Sequence, residues 1–186
     1  MKKKISFGLI AVILFAGFIL VNSSIVVTYP NEYTVIKQFG RIEKIYETPG
    51  LSMKIPFIQT TEKIEKEILL YDLAVSDVMT KDKKSMIADC FVLWEIEDPY
   101  KYTQTLSAQK SNAEFRIDTI VYNSLKNVIS SLSQEEVISG RDGELAQAIQ
   151  DNIGDTLEQY GIKLLAVETK SLDLPDENKS AVYERM

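Results

Sequence analysis

Behind the basic run Lys2, Lys3, Lys4, this chain carries no charge for 27 residues, Ile5 to Asn31. The densest part, Ile5 to Val21, reads ISFGLIAVILFAGFILV, and each residue in it is apolar, Gly or Ser. A helix on the surface of a soluble domain needs a polar face, and this segment has none. At 1.5 Å per residue its helix would be roughly 25 Å long, at the short end of what crosses a bilayer core. Phe7, Leu9, Ile13, Leu14, Phe15, Phe18 and Leu20 would face lipid, with Asn22 to Ser24 at headgroup level. The three lysines would stay in the cytoplasm and the rest of the chain on the other side. A secretory signal shares the basic start but has a shorter apolar stretch and a small-residue cleavage site. Val21-Asn22-Ser23 is not of the A-x-A kind, so a retained single-pass anchor over 5–24 is favoured, in the plasma (inner) membrane. A cleaved signal stays open as the alternative.

The lysines carry +3 of a net charge of −6, which leaves −9 on the remainder. An acidic ectodomain argues against nucleic acid and against tight attraction to anionic headgroups; proteins are the expected partners. The single cysteine, Cys90, cannot close an intrachain disulfide and sits in an apolar run, where a small buried hydrophobe is expected. The chain contains no histidine, which removes the commonest general base, the Ser-His and Cys-His pairs and most zinc sites. No catalytic residue, metal or cofactor is expected.

Ile25 to Thr28 and Tyr33 to Phe39 are β-rich and flank Tyr29-Pro30-Asn31-Glu32, which reads as the turn of a hairpin. Ile42 to Tyr46 suits a short strand, Thr48 to Leu51 a turn, and Glu62 to Tyr71 a strand. Val75 to Met79 and Ser85 to Ile96 bracket the polar Thr80-Lys81-Asp82-Lys83-Lys84, a hairpin with a basic tip. Asp98 can cap a helix with Pro99 at its first position. Ile117, Ile120, Val121, Leu125, Val128, Ile129 and Leu132 form one helical stripe. Ser133 and Glu136 make a capping box. Leu145, Ile149, Ile153, Leu157 and Tyr160 predict another amphipathic helix, ended by Gly161. Ile162 to Leu174 predicts a strand and Asp176 to Met186 a last helix. Strands gathered first and helices later indicate α+β.

Several segments carry a family resemblance. Pro49, Gly50 and Leu51, followed by Lys54, Pro56 and Phe57, resemble the PGL-x-x-K-x-PF motif of the SPFH or band 7 family, the stomatins, prohibitins and flotillins. YTVIKQFG over 33–40 and TKDKKSMIADCFVLW over 80–94 resemble two further family segments. Leu174-Pro175 with Ala181 to Met186 is similar to the opening of its long coiled-coil helix. The resemblance implies an SPFH domain over 25–175, then the start of that helix over 176–186. Within the family the chain most resembles the HflK–HflC branch, on the HflC side. That implies a non-enzymatic scaffold that alternates with an HflK-like paralogue in a large hetero-oligomeric ring, contacts membrane lipid and modulates an FtsH-type membrane protease. Glu62, Glu65 and Lys66, with Val182, Tyr183, Arg185 and Met186, are candidate subunit contacts.

Other clusters are weaker. Glu95, Glu97 and Asp98 match no calcium-loop spacing. Lys84 and Ser85 are adjacent on a strand and point to opposite faces, a poor dyad. Phe91 and Trp94 are expected in the core. The competing class is an exported ligand-binding or hydrolytic domain released from its signal.

Overall fold

A computed structural model describes residues 7–140 and 143–173, with side chains given from residue 11 onward except at Ile13. The chain divides into two compact units, Met1–Lys66 and Glu67–Met186.

The first unit opens with α1, Phe7–Ser24, 18 residues. Its side chains Leu14, Phe15, Phe18 and Leu20 are exposed. Among the described residues no helix is long and apolar enough to cross a membrane. At 18 residues α1 spans about 27 Å, against a hydrocarbon core of about 30 Å.

Directly after α1 comes β1 (Ile25–Thr28), then β2 (Glu32–Gln38), β3 (Arg41–Tyr46), β4 (Gly50–Met53) and β5 (Gln59–Glu65). The expected β1–β2 hairpin does not form. Tyr29 to Glu32 does turn, with the Glu32 amide donating to Tyr29 O at 3.3 Å, but β1 pairs antiparallel with β4, Ile25 opposite Met53 and Thr28 opposite Gly50. β2 is the centre of a β3-β2-β5 sheet. Tyr33, Thr34, Val35 and Ile36 are buried in succession, as a strand covered on both faces must be. A buried hydrogen bond from Thr28 Oγ1 to Thr34 Oγ1, 2.8 Å, joins β1 to β2 side by side without backbone pairing. The expected turn at Thr48 to Leu51 ends early, because Gly50 already begins β4.

In the second unit the strands are β6 (Leu69–Asp72), β7 (Ser76–Met79), β8 (Ser85–Ile96) and β9 (Ile162–Asp173). The mixed stretch Glu62 to Tyr71 is therefore strand, but two strands, β5 and β6, one in each unit. β6 and β7 pair end to end along one side of β8 and β9 along the other, all antiparallel. Along β8 every even-numbered side chain is buried and every odd-numbered one half-buried. Trp94 thus lies in the core as expected, whereas Phe91 is half-buried on the opposite face.

The helices are α2 (Pro99–Leu106), α3 (Lys110–Ser131), α4 (Gln134–Ser139) and α5 (Glu144–Ile153). Asp98 caps α2 by accepting from the amides of Tyr100 and Lys101, 3.0 Å each. Ser133 and Glu136 form the capping box of α4. α3 buries Ile117, Val121, Leu125 and Ile129 at steps of four and packs on α5 and β7, while α5 packs on β9. Each such side chain contributes about 1.5–3 kcal/mol on burial. Ser124 ties the helices together by donating to Ile149 O at 2.9 Å. The single helix expected from Leu145 to Tyr160 is broken at Gly154, whose backbone (φ 50°, ψ −137°) is not helical. A short 3-10 segment, Gly154–Tyr160, follows and ends at Gly161 in the left-handed conformation. The helix expected over 176–186 lies outside the described residues.

Candidate functional site

Of the family-motif residues, Lys54, Pro56 and Phe57 lie at one end of the first unit, while Gly50 pairs with Thr28, which bonds Thr34 toward the other end. Gln38 stands opposite Gln59 across β2 and β5 and opposite Arg41 across β2 and β3. The turn at Phe39-Gly40 and the turn leading into β5, Pro56-Phe57-Ile58, therefore leave the same end of the sheet. Gln59 holds them together. Its side chain donates to Gln38 Oε1 at 3.2 Å and accepts from the Ile55 amide at 2.8 Å, and its own amide donates to Ile55 O at 3.0 Å. One residue earlier, the Lys54 amide donates to Ser24 O, the last carbonyl of α1, at 2.8 Å. Lys54 itself turns inward, Nζ to Thr61 Oγ1 at 3.3 Å.

That end is apolar and open. Leu51 is 78% exposed, Met53 73%, Phe57 88% and Phe39 83%, with Ile25, Ile55 and Ile58 also exposed. Phe39 and Phe57 both have left-handed backbone, φ 50° and 67°, rare for a bulky residue. Of these residues sequence reasoning singled out Leu51 and Phe57 as motif members and missed Phe39, Met53 and Ile55 as surface. The available signal was a phenylalanine at a turn position, where glycine or asparagine is the usual choice.

The candidate contacts in β5 and at Lys66 just after it are engaged within their own unit. Glu62 pairs with Lys37 at 2.5 Å, and Lys66 Nζ lies 5.0 Å from the Tyr33 ring centroid and reaches Glu47 O. Glu65 is exposed opposite Glu32. Partial burial works against ionisation of Glu32, yet Lys63 and the Tyr29 amide hold its carboxyl below the ordinary range. Lys2, Lys3, Lys4, Val182, Tyr183, Arg185 and Met186 lie outside the described residues, as do the side chains of Phe7, Leu9 and Ile13.

In the second unit the basic tip is a braced turn. Thr80 Oγ1 donates to Asp82 Oδ1 at 2.6 Å, the Gln134 amide donates to the same oxygen at 3.1 Å, and Lys84 pairs with Asp82 at 3.1 Å. These contacts, the Thr80 hydroxyl first, pull Asp82 down to about 2. Lys84 is thereby spent on Asp82 and not on Ser85. Glu95 and Glu97 share Lys163, at 3.7 and 3.2 Å, and Asp98 is spent on the α2 cap. Among the described residues no group of three or more Cys, Asp or Glu is placed to hold a metal. Cys90 is buried, and burial pushes its thiol up. A cleft of about 400 Å³ beside α5 is lined by Asp151, Asp155 and Glu158 with Lys163 and Leu164.

The SPFH domain / Band 7 family model matches residues 26–186. The chain belongs to the SPFH/Band 7 family. It is 28% identical over 185 residues to Protein HflC of Haemophilus influenzae, covering 94% of this chain and 62% of that protein. It is 30% identical over 170 residues to an uncharacterized protein of Archaeoglobus fulgidus, covering 91% of this chain and 64% of that one. Against the Modulator of FtsH protease HflC of Escherichia coli K12 the identity is 23%, over 96% of this chain and 67% of the relative. The chain thus spans a little under two thirds of most of these proteins. As an SPFH protein with HflC proteins among its curated relatives, it carries the Lys54, Pro56 and Phe57 residues of the motif on the open end of its first unit, with the Lys54 amide on the last carbonyl of α1.

Proposed function

We propose that this SPFH protein is a membrane-anchored scaffold subunit that assembles with an HflK-like paralogue into a large ring and modulates an FtsH-type membrane AAA+ protease. The observation that carries the proposal is the match to HflC proteins along nearly the whole chain, one of them named as a modulator of FtsH protease. Three features support it. α1 is apolar on every face and runs directly into β1, so the first unit would sit against the bilayer on the extracytoplasmic side. Lys54 of the motif bonds to Ser24 O at that junction. The candidate contacts Val182, Tyr183, Arg185 and Met186 belong to the segment that would begin a helix between neighbours. The role is non-enzymatic and needs no cofactor.

The test is purification of the tagged, native-length protein from membranes in mild detergent, with mass spectrometry of bound chains and sizing of the particle. An HflK-like paralogue and an FtsH-type protease in a very large particle are expected. A small particle holding neither would refute the scaffold. A mature N-terminus near Ser24 would refute the anchor.

A further inference from the structure

We propose that the outer edge of β9 at Ile162 to Leu164 is a docking site for an extended segment of a partner protein, which adds to the sheet as a further strand and lays a lysine or arginine side chain in the cleft between that edge and the end of α5. The proposal goes beyond the scaffold function above and does not depend on it.

β9 runs for 12 residues, and among the described residues it pairs only with β8. Successive residues of a strand turn their backbone groups to opposite sides. The Gly161 carbonyl accepts from the amides of Glu97 and Asp98, at the end of β8. Gly161 and Lys163 therefore face β8, and Ile162 and Leu164 turn their N–H and C=O groups outward. Among the described residues nothing bonds to those four groups. The carbonyl of Leu165 meets Gln150 Nε2 at 3.5 Å, which is long for a hydrogen bond.

Proteins commonly guard such an edge with proline, charge or bulges. β9 contains no proline. Its ladder skips Leu165 and Lys170, which leaves Ile162 to Leu164 regular. The one charge on that stretch, Lys163, is drawn onto Glu95 and Glu97 at 3.7 and 3.2 Å.

The cleft of about 400 Å³ opens along this same edge, for Ile162 and Leu164 line it together with Asp151, Asp155, Leu157 and Glu158. The three carboxylates are exposed, and the only cation in the lining is Lys163, whose ammonium is already taken. A cationic side chain complements that charge. Leu157 and Ile162 are buried, so the aliphatic stem of a lysine or arginine can lie on apolar surface while its head meets the acids. A free strand edge binds main chain, and the pocket beside it selects the side chain. Nucleic acid and lipid headgroups offer the edge no main-chain donors and acceptors, and three acids repel their phosphates.

The test offers the full-length chain in mild detergent to immobilised nonapeptide libraries, each with its central residue fixed as Lys, Arg, Gln or Glu and the others random. The Lys and Arg libraries are expected to retain the protein, and the Gln and Glu libraries to fail. A lysine peptide from the retained pool is then titrated by fluorescence anisotropy. Asp155→Asn with Glu158→Gln should weaken it by about fivefold; Glu135→Gln, exposed on α4, should leave it unchanged. Methylating alternate backbone nitrogens of the peptide needs no change in the protein. One of the two alternating patterns should abolish binding. Hydrogen exchange over 161–165 should slow in the bound state. Equal retention by all four libraries, full affinity in the double variant, or binding that survives both methylation patterns overturns the proposal. So does slowed exchange confined to another part of the chain. Slowing at 161–165 that grows with protein concentration in the absence of peptide means a second copy takes the edge, which also overturns it.

Discussion

Gly161→Ala should be the most costly single-methyl substitution at the junction between β9 and α2. Gly161 has φ 74°, and a Cβ there would lie 2.2 Å from Asp98 O and 2.7 Å from Tyr102 N. Both are backbone atoms, so no side-chain rotation can relieve the contact. The Gly161 carbonyl accepts from the amides of Glu97 and Asp98 at 3.0 and 3.2 Å, and the Tyr102 amide donates to Asp98 O at 3.0 Å. Relief requires the first turn of α2 to withdraw, which weakens those bonds together with the seat of the buried Tyr102. The left-handed backbone costs an alanine about 1–2 kcal/mol. Two strained or broken backbone bonds add about 1 kcal/mol each, for a total of about 3–4 kcal/mol. Gly154→Ala is the comparison. It also has positive φ, 50°, but nothing lies within 4 Å of its Cβ position, so only a backbone penalty of about 1–3 kcal/mol applies. Urea unfolding of the detergent-solubilised chain, followed by Trp94 fluorescence, measures both. With a slope of about 1–3 kcal/mol per molar urea, Gly161→Ala should lower the midpoint by more than 1 M. A Gly161→Ala midpoint equal to or above that of Gly154→Ala would show that α2 shifts without loss and that the junction is not rigid.

Other consequences follow from single contacts. Asp98→Ala removes the cap from α2 and should cost about 0.5–2 kcal/mol, with Asp98→Asn nearly neutral, in the same urea assay. Ser124→Ala leaves Asn152, which it also bonds at 3.0 Å, without that partner and should cost about 1–2 kcal/mol. Asp82 has its pKa lowered from 3.8 to about 2, so its contribution is present above about pH 3.8 and is lost as pH falls through about 2. An acid titration should therefore flatten over that window in Asp82→Asn; an unchanged profile would remove Asp82 from the acid response.

What was readable from residues alone was short-range. The Asp98-Pro99 start of α2 and the Ser133–Glu136 capping box each depend on groups within four residues of one another, and both form as expected. The stripe on α3 was equally legible, since a helix places every fourth residue on one face whatever it packs against. The hairpin of β7 and β8 was legible because its tip is five polar residues between two apolar runs.

Pairing over longer distances was not. Ile25 to Thr28 stands next to one β-rich run in sequence, yet pairs with Gly50 to Met53 beyond two other strands. Strands of four residues carry too little pattern to specify a partner, and proximity in sequence favoured the wrong one. The break at Gly154 hid inside an unbroken apolar periodicity, because Leu157 keeps its place in the core through a 3-10 turn as well as it would in a helix. Phe91 and Trp94 looked alike as core candidates; strand alternation puts them on opposite faces, and only what packs on β8 decides which face is fully buried.

The same division holds for the functional surface. An uncharged stretch of 27 residues behind three lysines and an ordered set of family motifs are properties of the chain, because transfer free energy and local backbone preference belong to each residue wherever it lies. Whether Phe39, Leu51, Met53 and Phe57 would be core or surface is not such a property. It was decided when β2 took the centre of its sheet, Gln59 drew two turns together and Lys54 closed on the end of α1, since exposure is set by which distant segments arrive to cover a side chain.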